Sequence, residues 1–174
     1  DALLIVDEAH SSGVIGKNLM GILDFYELPV RENYIKMGTL GKAYGSFGAY
    51  ILATKHIIEY LINRAKPIVY ATAPSLFDTA LGLEALKKIQ KEHESLSLEI
   101  KKSQTVVKET LGIEVDGLIV PIVIGDNQKV LAIQEALKQE GILVGAIRQP
   151  TVSKAIIRLI ARVDLSLDDL KRAC

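Results

Sequence analysis

The sequence has no surplus of charge of either sign, since 21 lysines and arginines stand against 21 aspartates and glutamates in 174 residues. Nucleic acid and anionic lipid both require a basic excess, so neither is an expected partner. No apolar stretch approaches the ~20 residues that span a bilayer, and the start lacks a charged segment followed by an apolar one. A soluble, cytoplasmic protein is therefore expected, without a membrane partner. Cysteine is nearly absent: Cys174, the last residue, permits no internal disulfide and suits a reducing compartment. There is no internal repeat, no low-complexity tract and no expected metal site.

What is present is a globular composition, 49% apolar, enough to bury at least one core. Residue 1 is aspartate, and Ala2–Val6 reads at once as a strand covered on both faces. The chain is thus expected to be a fragment of a longer protein, and inactive by itself. Asp7 falls at the carboxyl end of that strand, where ligands of open α/β sheets bind. A glycine-bearing loop, Ser11–Gly16, and a crossover lead to a second strand, Tyr34–Thr39. A glycine-punctuated turn, Gly41–Gly48, carries Lys42 into a third strand, Ala49–Ala53.

Further on, Lys55–Arg64 has helical spacing, Pro67 ends it, and Ile68–Tyr70 reads as a short strand. Apolar residues then recur at three and four from Ser75 onward, as in a long helix able to connect two domains. After Gly112 the pattern is strand (Leu118–Ile124), helix (Gln128–Gln139), strand (Ile142–Ile147), strand (Ala155–Ile160) and a terminal helix opening near Ser166. The expected division is therefore residues 1–95 and 96–174.

Asp7-Glu8-Ala9-His10 and Thr39-Leu40-Gly41-Lys42 supply an acid, an imidazole and an amine, each motif closing an apolar run. That set suits pyridoxal phosphate, an aldehyde cofactor that takes a lysine as Schiff base and keeps its ring nitrogen protonated beside a carboxylate. Lys42 and Asp7 are the candidates. Each also has an ordinary alternative, because strand-end aspartates cap turns and lysines in glycine-rich turns are commonly just exposed.

Asp7–His10 with Gly13–Gly16, Thr39–Gly45, Tyr70-Ala-Thr72-Ala-Pro74 and Arg148-Gln-Pro-Thr151-Val152 resemble, in order, the α-oxoamine synthase family of pyridoxal-phosphate enzymes, related to the class II aminotransferases. The resemblance covers the whole chain and corresponds to the C-terminal half of such an enzyme. It implies a fold type I α/β architecture: part of a large mixed-sheet domain, then a small C-terminal α/β domain. It also implies a homodimer with each active site at the interface.

By that resemblance Asp7 pairs with the ring nitrogen, His10 bonds the phenolic oxygen, Lys42 is the Schiff-base lysine, and Thr39 binds the phosphate. Thr72 reaches the phosphate of the partner subunit, Thr151 contacts substrate, and Arg158 clamps the amino-acid carboxylate, with Arg148 and Arg162 as alternatives. The implied reaction is a decarboxylative condensation of an amino acid with an acyl thioester, both small molecules. The residues around Lys42 look closest to members that join L-alanine to a pimeloyl thioester in biotin biosynthesis. Other members use glycine with succinyl-CoA or acetyl-CoA, or serine with palmitoyl-CoA.

Two other classes stand beside this one. Leu3–His10 also resembles the Mg²⁺-binding motif of a DEAH-type NTPase, though no arginine-finger motif accompanies it and the Thr39–Gly45 turn has no place in such an enzyme. The third is an inert interaction domain, against which stands the presence of Asp7, His10 and Lys42.

Overall fold

A computed structural model describes residues 2–174; the expected first segment begins at residue 1, outside that range. The chain divides into two compact units, the first ending at Ser97 and the second running from Leu98 to Cys174.

The first unit is built on a three-stranded sheet of order β1-β2-β3, with β1 at Leu4–Asp7, β2 at Tyr34–Thr39 and β3 at Ala49–Leu52. β1 and β2 are parallel, as the crossover requires, while β2 and β3 are antiparallel across the turn that holds Lys42. A single helical turn, α1 (Ile22–Phe25), lies in the crossover. The expectation that both faces of the first strand are covered does not hold in this chain. Leu3 is 58% and Ile5 65% exposed, because β1 has a neighbour on one side only and no described element packs over these side chains.

After β3 comes α2 (Lys55–Arg64), with the predicted boundaries. The strand expected at Ile68–Tyr70 is instead a helical turn, α3 (Lys66–Val69). Pro67 explains the difference: its fixed φ and missing N–H suit the first turn of a helix, and three β-prone residues without a partner strand cannot oppose it. Next, α4 (Leu76–Leu111) runs for 36 residues through the boundary of the two units and stops where Gly112 turns to φ +67°.

The second unit holds an antiparallel sheet of order β4-β6-β5, with β4 at Ile119–Gly125, β5 at Gly145–Ile147 and β6 at Ala155–Ile160. Along β6 the side chains alternate: Ala155, Ile157 and Leu159 are buried, whereas Arg158 and Ile160 are exposed, as a half-covered strand demands. The inner face packs with α5 (Asn127–Gln139) and α6 (Leu167–Ala173) around Val107, Val120, Val130 and Leu170. The strand predicted over 142–147 is shorter than expected. Ile142 is taken up in closing α5, its amide donating to the Leu137 carbonyl at 2.9 Å.

Candidate active site

Parallel pairing decides where the chemistry-bearing side chains lie. Asp7 stands opposite Met37, so the carboxyl ends of β1, at Asp7, and of β2, at Thr39, share one edge of the sheet. Both predicted motifs open onto that edge. Asp7 is exposed and its Oδ1 accepts from the Ala9 amide at 2.9 Å, an Asx turn that starts the loop and leaves Oδ2 for another donor. His10 follows, exposed, in the same turn.

Glu8, between them, is fully buried. Its carboxylate accepts from the Ile22 amide at 2.8 and 3.0 Å and from the Ser11 hydroxyl, and pairs with the Lys36 ammonium at 3.5 Å. Gly21 leaves the room for this, since a Cβ there would sit 2.0 Å from Glu8 Oε2. Lys36 in turn donates to the Met20 carbonyl. Removing one member of such a buried pair strands the other charge, at a cost of about 3–5 kcal/mol. The second acid of a DEAH motif is thereby committed to the interior rather than to a metal or nucleotide.

On the other side of the edge, Thr39 shapes the lysine turn. Its hydroxyl donates to the Gly48 carbonyl at 3.0 Å and accepts from the Gly41 amide at 3.1 Å. Backbone bonds from Leu40 to Gly48, Ser46 to Leu40 and Gly45 to Lys42 complete the turn, and the Ser46 hydroxyl fastens it to the Asp78 carbonyl at 2.7 Å. Lys42 is exposed on this frame. Two residues on, Tyr44 is buried, and burial together with a hydrogen bond to Tyr50 pushes its hydroxyl well above the usual phenol range. An apolar cavity of about 390 Å³ lies between Leu40 and Tyr44 of the turn and Leu83 and Leu86 of α4.

The two motifs meet at Gly13 and Ala43. A Cβ at Gly13 would lie 2.4 Å from that of Ala43, and Gly13 has φ +83°, so only glycine lets the His10 loop reach the lysine turn. The Tyr50 hydroxyl joins the same loop, donating to Ser12 Oγ at 3.1 Å.

Thr72 lies in the exposed irregular segment between α3 and α4. Arg148, Thr151 and Arg158 belong to the second unit. Arg148 and Thr151 are exposed on either side of the cis Gln149–Pro150 bond, the Arg148 carbonyl accepting from the Thr151 amide at 3.0 Å. Arg158 extends from the open face of β6 over Gly145, where a Cβ would come within 3.5 Å of Nε. Arg162 is forked onto Asp164, Nε to Oδ1 at 2.8 Å, and that hydrogen bond holds its guanidinium above the ordinary arginine value. Glu8, Ser12 and Tyr50 escape a motif reading. The sequence signal that could have found Glu8 and Tyr50 is the pair of glycines, Gly21 and Gly38, at which those side chains come close. Among the described residues no group of three or more histidines, cysteines and acids could hold a metal, and no helix is long and apolar enough to cross a membrane.

The sequence and the fold have known counterparts. The chain is 43% identical over 171 residues to the 8-amino-7-oxononanoate synthase of Helicobacter pylori J99, covering 98% of this chain and 46% of that protein. The crystal structure of 8-amino-7-oxononanoate synthase from Francisella tularensis superposes with a TM-score of 0.85 at 28% identity, covering 98% of this chain and 52% of that one. A serine palmitoyltransferase from S. paucimobilis with bound PLP–myriocin gives 0.85 at 20% identity, covering 98% and 45%, and shows the shared fold type I architecture. The chain thus spans about half the length of the curated relatives it matches. The family model for aminotransferase class I and II matches residues 1–174, both units included, and the chain belongs to that family.

Proposed function

We propose that this chain is the C-terminal half of an 8-amino-7-oxononanoate synthase, which condenses L-alanine with a pimeloyl thioester and releases carbon dioxide and the thiol, a step of biotin biosynthesis. The observation that carries the reading is the shared sheet edge, on which a carboxylate and a lysine turn stand at the ends of adjacent parallel strands. The 43% identity to the Helicobacter synthase supports the substrate assignment. In this reading the first unit is the C-terminal part of the large cofactor domain and the second is the small C-terminal domain.

The donor set on that edge fits pyridoxal 5'-phosphate: an exposed amine at Lys42 and a carboxylate at Asp7 with one oxygen uncommitted. When bound, the cofactor supplies an aldehyde for an amino group and a ring that takes up the electron pair of a broken substrate bond. Asp7 holds a proton at the ring nitrogen, where a carboxylate favours the charged form. Lys42 anchors the cofactor and then moves the α-proton of the amino acid, serving as base and acid in turn. His10 bonds the phenolic oxygen. Thr39 reaches a phosphate oxygen by redirecting the hydroxyl hydrogen bond that it now donates to the Gly48 carbonyl.

For the carboxylate of alanine we assign Arg158. Its planar fork suits a carboxylate, whereas Arg162 is already engaged by Asp164; Arg148 and Thr151 remain as substrate contacts. The full-length protein works as a cytoplasmic homodimer, with Thr72 serving the partner's phosphate. In support, Tyr70, Leu76 and Phe77 around Thr72 are 81%, 88% and 76% exposed, apolar area that a partner surface would cover.

The test is the visible absorption spectrum of the full-length protein with added pyridoxal phosphate, beside its Lys42→Ala variant. A band in the parent that the variant lacks is expected, followed by thiol release with L-alanine and a pimeloyl thioester. Equal spectra overturn the assignment.

A further inference from the structure

We propose that the hydrogen bond between Tyr50 and Ser12 is a latch that sets the loop carrying His10 against the turn carrying Lys42, an inference that rests on the active site proposed above. Tyr50 and Ser12 are positioning residues in this scheme.

The Tyr50 ring has little freedom. Gly38 on β2 leaves its place open, since a Cβ there would sit 2.3 Å from the ring Cζ and hydroxyl. Tyr44 meets the ring edge-on, centroids 6.3 Å apart at 85°. Tyr44 is 6% exposed and lies two residues from Lys42, so any shift of the Tyr50 ring is passed to the lysine turn. At its far end Tyr50 donates to Ser12 Oγ, itself 4% exposed and two residues beyond His10. Ser12 also precedes Gly13, the residue that abuts Ala43. The contact at Gly13 sets how near the loop and the turn approach, and the Tyr50 bond sets their register. A buried hydroxyl that loses its partner pays the desolvation in full, so Ser12, buried where Tyr50 is half-buried, resists parting.

The experiment uses the full-length protein with Tyr50→Phe, Ser12→Ala, the double variant and the conservative Ser12→Thr. Tyr50→Phe keeps the ring over Gly38 and removes the hydroxyl alone. The first readout is amide hydrogen exchange of residues 40–48 in protein stripped of cofactor. The second is the pH titration of the visible band with pyridoxal phosphate added. Ser12→Ala should speed exchange about five-fold, the effect of one net hydrogen bond. Tyr50→Phe, which also loses the bond to Tyr44, should speed it at least as much, and both should displace the titration midpoint. The double variant should go no further than Tyr50→Phe, which already removes the bond to Ser12 along with the one to Tyr44, and Ser12→Thr should behave as the parent. Unchanged exchange in the singles, or additive effects in the double, overturns the latch. A parent that shows no visible band overturns the cofactor reading instead, and the exchange data then judge the latch alone.

Discussion

The Asp24 carboxylate accepts from the Asn18 amide and side chain at 2.7 Å each and from the Met20 amide at 3.1 Å. Burial, the largest single influence, works against its charge. The Asn18 and Met20 hydrogen bonds and the Lys36 ammonium outweigh it and hold the carboxyl below the usual aspartate range. A group depressed in the folded state contributes stability above its unfolded value that is lost as pH falls through the folded one. Urea midpoints of the parent and of Asp24→Asn should therefore differ most near neutrality and converge below about pH 4. A gap that stays constant into acid would contradict the argument. Residue roles divide sharply in how readable they are. Asp7 and Lys42 stand at strand ends beside glycines and are legible as chemistry before any fold is known. Glu8 carries the same carboxylate as its neighbour yet is interior, and what makes it so is a register: Lys36 arrives on the next strand, opposite Val6. That partner lies 28 positions away in the chain, where no local pattern announces it.

Elements were legible where local chemistry decides them. Asp126 opens α5 by accepting from the Gln128 and Lys129 amides at 2.9 and 2.8 Å, and Glu140–Ile142 closes it with paired bonds to Lys138 and Leu137 around Gly141 at φ +78°. Asp126→Ala should cost about 1 kcal/mol, read as a lowered denaturation midpoint with an unchanged denaturant slope. No loss of stability would mean that the cap is redundant. The boundaries of β2, α2 and β6 follow from branched runs and helical spacing in the same way. The misread segments are those in which a neighbour overrides propensity. Ile68–Tyr70 yields to Pro67, and Ile142–Val144 is drawn off by the close of α5 before β5 begins at Gly145.

At the scale of the whole molecule the two units differ in how they are filled. The second has an apolar centre, with Val107, Val120, Val130, Ala155 and Ala161 fully buried. In the first, Glu8, Ser11 and Ser12 are buried beside Leu19, Tyr44 and Ile89, and Leu3, Ile5, Tyr70, Leu76 and Phe77 are outward. If that apolar area meets a second subunit in the full-length protein, Phe77→Asp should shift its sedimentation from dimer toward monomer. A dimer unaffected by the substitution would place the interface elsewhere. The division between the units, at Ser97 and Leu98, falls inside α4 and not in a flexible tether. A gene split there would give two polypeptides whose new ends each expose about four unpaired backbone groups, carbonyls on one and amides on the other. Such pieces have a broken helix to rebuild, so the boundary is suited to fragment complementation and ill suited to the exchange of autonomous modules.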